Sequence, residues 1–404
     1  MTRSYSPLAR LIRLAESRRR ALAVASLPLL LAGPALGQGL APEGPEFRVN
    51  ANTSNGHSAP SVAMPSGGGS VVAWQTYNDR GLRPDVRARW FSAAGVPQGT
   101  DVQVNTTTAG DQGLPDVAMD SEGDVVVVWE SGNGPSGTGA DGQDGDGASV
   151  YARRFSAGVP QGPEFRVNTT TAGDQSAPTV AMDADGDFIV AWMSDDGSLG
   201  GVYAQRYDAA GVPQGGEFRV NTHTTSRQQN PAVAMDADGD LVVAWESQYQ
   251  DGSGFGIYVQ RYSSSGEPSG PTFRANTFTS LSQAEPAVAA NADGDFAVVW
   301  KSQAQDLSGY GVYAQRYNAA GVPQGGEIRV NTATAGDQQV PSVAMDSYGD
   351  LVVTWQGPGP QGFGVYARAY SGAGAPAGGE VQVDTNTQGL SVQPSVAMNA
   401  EGDI

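Results

Sequence analysis

The residues with the clearest chemical potential are carboxylates at alternate positions in short loops that contain glycine. The stretch "AMDADGDLVVAW" places three aspartates two residues apart, and near-copies of it recur along the chain. Carboxylate oxygens at this spacing are typical ligands of Ca²⁺. Calcium is therefore the one cofactor that the sequence suggests. Its candidate ligands in these loops are Asp183, Asp185, Asp187, Asp236, Asp238, Asp240, Asp293 and Asp295.

The same loops also fit a purely structural interpretation. Calcium takes six or more oxygens, and a full binding loop supplies them over about twelve residues with a distal glutamate. Here an apolar run begins right after the last aspartate, and Asp-Gly favours a tight turn between two antiparallel strands. We expect hairpin turns first and metal sites second.

A long glycine-rich stretch, "GNGPSGTGADGQDGDG" at residues 132–147, adds three more candidate metal ligands: Asp141, Asp144 and Asp146. It does not follow the nonapeptide pattern of calcium-binding β-rolls. It is either a flexible low-complexity insertion or a flap that binds a ligand or a cation.

The elements that carry these loops repeat along the chain. Aligned tryptophans occur at 74, 129, 192, 245, 300 and 355. In the copy around Trp192 we predict four strands, at 178–182, 188–192, 201–207 and 216–222, with glycine and proline in the connectors. The second strand is apolar on both faces, so both faces must be covered. Stacking four-stranded blades around a ring covers them, which predicts an all-β protein with a β-propeller fold.

The repeat count predicts six complete blades and a split, incomplete seventh. The predicted blade limits are 60–104, 115–167, 178–220, 231–274, 286–330 and 341–383. The stretches "PEFRVN" at 45–50 and "PSVAMNAEGDI" at 394–404 match the outer and inner edges of one further blade. Ile404 aligns with Leu351, so most of the second strand and all of the third strand of that blade are expected to lie beyond the sequence.

The N-terminal 37 residues predict an export signal and not part of the fold. Three arginines precede the apolar run "ALAVASLPLLLAGPALG", and Ala35 and Gly37 are small residues suited to a cleavage site. An uncleaved membrane anchor is the alternative. Residues 38–44 are expected to be a linker and 45–404 the propeller. We thus predict a secreted, periplasmic or cell-surface protein with no membrane span after cleavage.

Composition excludes one class of partner. The chain has a net charge of −19, a single lysine and no cysteine. An acidic surface repels nucleic acid phosphates, so we expect no nucleic acid partner. A chain of this length can bury enough apolar surface without disulfides.

The unit "GDxVVAWxSxxQDGSGxGVYAQRYxAAGVPQGGEFRVNT" resembles repeats of large secreted bacterial proteins, which are often linked to calcium-binding or cell-surface modules. There is also a similarity to the Asp-box propellers of sialidases, because Asp185, Gly186 and Trp192 occur in the same order. The gap from glycine to tryptophan is longer than in an Asp box. The arginine triad and tyrosine nucleophile of sialidases have no counterpart to carry over.

Topology places the loops after the second strands on the same face as the loops between blades, and the acidic hairpins on the opposite face. Binding residues usually lie where loops vary. We therefore expect an extracellular glycan or protein ligand on the first face. The candidate contact residues are Arg227, Tyr249, Phe255, Tyr310 and Phe363.

A catalytic centre has less support. The two histidines are isolated, and no serine elbow or phosphate loop is present. Glu130 and Glu246 each follow an aligned tryptophan and could form a glycosidase pair. The equivalent positions in other blades hold Gln, Met or Lys, so nothing marks a unique centre. We predict a non-catalytic binding protein, with a sialidase-like glycosidase or a calcium-binding surface or matrix protein as the alternatives.

Overall fold

The computed structural model describes residues 39–42, 44–53, 56–65, 67–77, 84–132, 143–195, 199–359, 362–385 and 392–404. The predicted signal peptide and Asp141 lie outside these ranges. Within them the protein is all-β, and no helix is long and apolar enough to cross a membrane. Six antiparallel sheets, each following chain order, form the six blades of a propeller ring.

The strands of the first three blades are β1 His57–Ala63, β2 Ser70–Tyr77, β3 Pro84–Phe91 and β4 Val102–Gln103; β5 Asp111–Met119, β6 Asp124–Gly132, β7 Ser149–Ser156, β8 Val159–Pro160 and β9 Phe165–Arg166; and β10 Gln175–Met182, β11 Phe188–Ser194, β12 Gly201–Tyr207 and β13 Phe218–Arg219. Those of blades 4 to 6 are β14 Gln228–Met235, β15 Leu241–Gln248, β16 Phe255–Tyr262 and β17 Phe273–Arg274; β18 Gln283–Ala290, β19 Phe296–Gln303, β20 Tyr310–Tyr317 and β21 Ile328–Arg329; and β22 Gln339–Met345, β23 Leu351–Gly359, β24 Gly362–Tyr370 and β25 Val381–Gln382.

The hydrophobic core lies between blades and not within them. Each large apolar cluster takes residues from two neighbouring blades, as when Ile189 and Ala191 of blade 3 join Val243 and Trp245 of blade 4. The tryptophans of blades 2 to 6 are fully buried. This packing explains why the second strands are apolar on both faces, because each one covers the blade before it and the blade after it.

First strands begin earlier than the sequence predicts. In blade 3 the strand starts at Gln175 and not at Pro178, and its pairing with β11 shifts register between Ser176 and Thr179. The bulge residue, Ala177, has a φ of 50°. A bulge at a proline lets a strand continue past a residue that cannot donate to the ladder.

Fourth strands are shorter than predicted. In blade 3 only Phe218 and Arg219 pair with β12. Beyond them the buried Asn221 accepts the N–H of Val202 through its side chain at 2.8 Å. The amide of Asn221 also donates to the buried Gln228 of the next blade at 3.0 Å. Hydrogen bonds of the Asn221 side chain thus take over from backbone pairing at this point, and they link the chain to the next blade.

The predicted split seventh blade is not seen as a sheet, because no strand forms in residues 45–50 or 394–404. Both segments nevertheless connect blade 6 to blade 1. Glu46 accepts the N–H of Thr385, just after blade 6, at 3.0 Å, and Ser395 Oγ accepts the N–H of Val62 in blade 1 at 3.2 Å.

Candidate ligand-binding face

The ends of the blades form two faces of different construction. We call the loops that join second to third strands the upper loops, and with the interblade loops they form the upper face. The hairpins that join first to second and third to fourth strands form the lower face. Hydrogen bonds tie the members of each face together, as between the Gln248 N–H and the Arg227 carbonyl on the upper face at 2.9 Å.

The lower face holds the acidic hairpins, and there the carboxylates cap backbone groups. Asp236 Oδ1 accepts the N–H groups of Asp238 (3.0 Å) and Asp240 (2.9 Å). Asp240 Oδ1 in turn accepts the N–H of Ser264, in the second hairpin of the same blade, at 2.7 Å. Asp183, Asp187 and Asp295 make equivalent bonds in blades 3 and 5. The middle and last acids of all three hairpins are exposed.

These bonds favour the turn interpretation of the hairpins, and the metal assignment stays a prediction. Throughout the part of the chain that the structure describes, no group of three or more His, Cys, Asp or Glu side chains is arranged to hold a metal ion. In the glycine-rich stretch, the side chain of Asp144 is fully buried, and one of its oxygens lies 3.8 Å from Arg166 Nη1. Asp146 is exposed.

On the upper face, residues after the aligned tryptophans act as latches between blades. Glu130 accepts the N–H of Ala177, in the first-strand bulge of the next blade, at 3.3 Å. Gln75 and Gln356 accept the corresponding N–H groups of Leu114 (3.0 Å) and Gln393 (3.1 Å). Because glutamine serves the same purpose in other blades, the latch does not require an acid.

Glu246 is the most enclosed of these latches. It is 1% exposed and accepts bonds from Gln229 (2.7 Å), Asn230 (2.9 Å) and the N–H of Glu285 (2.7 Å). Burial raises the pKa of Glu246 and raises that of Glu130 to about 7. Glu246 is closed off from solvent, whereas Glu130 is partly exposed.

Blade 5 places the only lysine of the chain at this latch position. Lys301 Nζ lies 2.5 Å from Glu285 Oε1, and 4.7 Å from the centre of the Tyr310 ring. The other oxygen of Glu285 accepts the N–H of Val340 in blade 6 at 2.8 Å. The ion pair therefore extends the latch from blade 5 to blade 6.

The predicted contact residues divide into two groups. Arg227 and Tyr249 are exposed, with 60% of Tyr249 accessible. Phe255, Tyr310 and Phe363 are half-buried at the upper ends of third strands. Only the first group is free to make broad contacts with a ligand.

Three exposed leucines complete a row with Arg227 and Tyr249, and the sequence did not single them out. Leu199 is 67% exposed, Leu281 46% and Leu307 95%. We call Leu199, Arg227, Tyr249, Leu281 and Leu307 the apolar row. A large apolar side chain in water has no structural benefit, so a run of them on one face marks a candidate contact surface.

Backbone hydrogen bonds connect the row from blade 3 to blade 5. The carbonyl of Gly200, next to Leu199, accepts the N–H of Gln228, next to Arg227. The N–H of Leu281 donates to Ser253 Oγ in the loop of Tyr249 at 3.0 Å. Ser282 accepts the N–H of Gln303, just before the loop of Leu307, at 2.9 Å. The five residues thus follow one continuous path along the upper face.

The row lies where the repeat is broken. Interblade loops read Gly-Asp at residues 110–111, 173–174 and 336–337, but Ser226-Arg227 and Leu281-Ser282 at the two junctions of blade 4. In the upper loops, Leu307 of blade 5 stands where blade 4 has Gly252. These departures from the repeat could have identified Leu281 and Leu307 from the sequence.

Solved structures share the fold at low sequence identity. A protein of unknown function from Dyadobacter fermentans is similar with a TM-score of 0.54 at 14% identity, over 80% of this chain and 96% of that one. The NanB sialidase of Streptococcus pneumoniae has a TM-score of 0.51 at 8% identity, over 76% of this chain and 66% of that one. A PL25 ulvan lyase has a TM-score of 0.52 at 12% identity, over 80% and 84%. No protein-family model and no curated protein matches the chain, and these neighbours establish the propeller architecture alone.

Proposed function

We propose that this protein is a secreted or cell-surface, non-catalytic binding protein that holds an extracellular glycan or protein ligand against its upper face. The apolar row is the observation that carries the proposal. It combines exposed apolar side chains with Arg227 on loops that are firmly held. The buried pair of Asn276 and Gln283, for example, fixes the loop of Leu281 through bonds of 3.0 Å to each other and from Gln283 to the Ser280 carbonyl.

A comparison of the two faces supports this choice. The lower face also exposes valines, but at the same turn position in four blades: Val96, Val159, Val212 and Val322. A feature that recurs in four of the six blades serves the turn, whereas a binding site needs broken symmetry. Within blades 3 to 5, the exposed large apolar residues that depart from the repeat, such as Leu281 and Leu307, lie on the upper face.

The proposal is tested by screening the protein against a glycan array and a panel of extracellular matrix proteins. The variants are Arg227→Ala and Tyr249→Ala, with Val322→Ala on the lower face as the matched control. We expect the upper-face variants to weaken any binding at least tenfold and the control to leave it unchanged. Binding lost in the control, or kept in both upper-face variants, would place the site elsewhere.

A glycoside hydrolase is the second candidate, because Glu130 has a pKa of about 7, suited to a general acid. The sialidase and the lyase among the structural neighbours act on carbohydrate, which keeps this class open at the level of the fold. A panel of fluorogenic glycosides decides it. Turnover that disappears in both Glu130→Gln and Glu246→Gln would replace the binding proposal with this one.

A further inference from the structure

Four of the five residues in the apolar row, all except Arg227, have a backbone conformation that large side chains avoid. The φ angles are 81° at Leu199, 59° at Tyr249, 62° at Leu281 and 70° at Leu307. In this left-handed region a side chain with a Cβ crowds its own backbone, and such strain is concentrated at functional sites. At these positions both the backbone conformation and the exposure to water make a large apolar side chain unfavourable for stability.

The equivalent loops of other blades have glycine at two of these positions, which indicates that the backbone geometry there favours glycine. At the position of Leu281, other interblade loops have Gly110, Gly173 and Gly336, with φ between 73° and 78°. At the position of Leu307, blade 4 has Gly252 with a φ of 95°. Both upper loops close with the same two backbone hydrogen bonds, so the local geometry is shared.

We infer that the apolar row is a docking site for another protein, specifically for a segment that presents apolar side chains together with lysine or arginine. This inference rests on the proposed function and names its ligand class. Three leucines offer contact area but no hydrogen bonds, and one tyrosine offers a single ring face. That composition suits apolar side chains better than the hydroxyl-rich surface of a sugar.

Charge complementarity indicates the basic part of the partner. The chain has a net charge of −19, and exposed Asp174 and Asp195 lie beside the blade 3 end of the row. Arg227 is the one basic residue within the row. A second copy of this acidic chain would be repelled, so a basic partner fits better.

The test replaces the row with residues that sibling loops already use. The full chain is made with Tyr249→Ala, which copies Ala304 of blade 5, and with Leu281→Gly and Leu307→Gly, which copy Gly336 and Gly252. Leu307→Asn is a second, single variant, since asparagine tolerates this backbone conformation. Val212→Ala on the lower face is the control.

A random-peptide display library is selected on the wild-type protein, and enriched peptides are synthesised for titration. We expect peptides with apolar and basic residues that bind the wild type and the control at least tenfold more tightly than the triple variant or Leu307→Asn. We also expect Tm of both variants to stay equal to that of the wild type or to rise. This combination separates contact residues from structural ones.

Four results would overturn the inference: no enriched peptide, equal affinity for all proteins, enrichment of acidic peptides, or a lower Tm in both variants. A glycan that binds the wild type but not the triple variant, with no peptide enriched, would overturn it and still leave the proposed function standing. If neither a glycan nor a peptide binds the upper face, both proposals fail.

Discussion

At the scale of single residues, the acids on this protein are used mainly to hold backbone groups. Glu130 and Glu246 each follow an aligned tryptophan, and from the sequence they could have formed a glycosidase pair. In the structure they latch one blade to the next, at positions where Gln75 and Gln356 do the same without charge. A buried carboxyl in such a position makes stability depend on pH.

Glu130→Gln tests this directly. The pKa of Glu130 rises from an ordinary 4.5 to about 7 on folding because burial disfavours the charged form. Its contribution to stability is therefore fully present below about pH 4.5 and is lost as the pH rises through about 7. We expect the free energy of unfolding of the variant, relative to that of the wild type, to increase by up to about 3 kcal/mol from pH 5 to pH 8. Urea unfolding at each pH measures it. Parallel pH profiles would contradict the assignment.

At the scale of elements, the acidic hairpin is a self-capping turn. Its first aspartate closes the turn from within, and its third reaches the neighbouring turn of the same blade. Asn291 caps the same turn in blade 5 with bonds of 3.1 and 2.9 Å. A neutral amide therefore caps the turn as well as a carboxylate does.

In hairpin variants, the loss of stability should depend on whether a capping hydrogen bond is removed and not on whether a charge is removed. We expect Asp236→Ala to lower the free energy of unfolding by about 1–2 kcal/mol, because two N–H groups lose their acceptor. Asp236→Asn should cost much less, as Asn291 shows, and the exposed Asp238→Ala should change stability by less than about 0.5 kcal/mol. Urea midpoints measure all three. Equal losses at 236 and 238 would point to a bound cation.

Removal of metal gives an independent check on the same hairpins. If the aspartates only cap turns, EDTA should leave Tm unchanged. Calcium present at ten to a hundred times its Kd would instead add about 1–3 kcal/mol by mass action. A large EDTA-sensitive shift that disappears in Asp238→Asn with Asp240→Asn would restore the metal assignment.

At the scale of the whole molecule, stability comes from contacts between blades. Each core cluster spans two blades, so one missing contact exposes two apolar faces. Between blades 6 and 1, segments 45–50 and 392–404 supply these contacts without a sheet. Leu40, Ala377 and Val396 pack there beside the buried Met398.

The closing junction is held by a hydrogen bond of the same kind as a junction within the ring. Glu46 accepts the N–H of Thr385 just as Glu217 accepts that of Thr169 within the ring. We expect Glu46→Ala and Glu217→Ala each to cost about 1–2 kcal/mol. Hydrogen exchange should speed up beside blades 6 and 1 for the first variant and beside blades 2 and 3 for the second. Uniform exchange changes in both would argue against a local junction.

The amino-acid sequence alone was enough to predict the repeat, the all-β class and the order of strands in each blade. It could do so because tryptophan spacing, apolar runs and Asp-Gly turns are local patterns. The third strand of blade 3 was predicted to the residue at 201–207, since glycine and tyrosine mark its ends.

The three-dimensional structure was needed to establish how the blades meet and which residues share a surface. Neighbouring blades turn Glu130 and Glu246 into latches, extend the first strands through bulges and shorten the fourth strands through Asn221 and its equivalents. They also bring Leu199, Leu281 and Leu307 into one row with Tyr249. Side-chain exposure and left-handed backbone geometry depend on what packs against each loop, and no local pattern encodes that for a leucine.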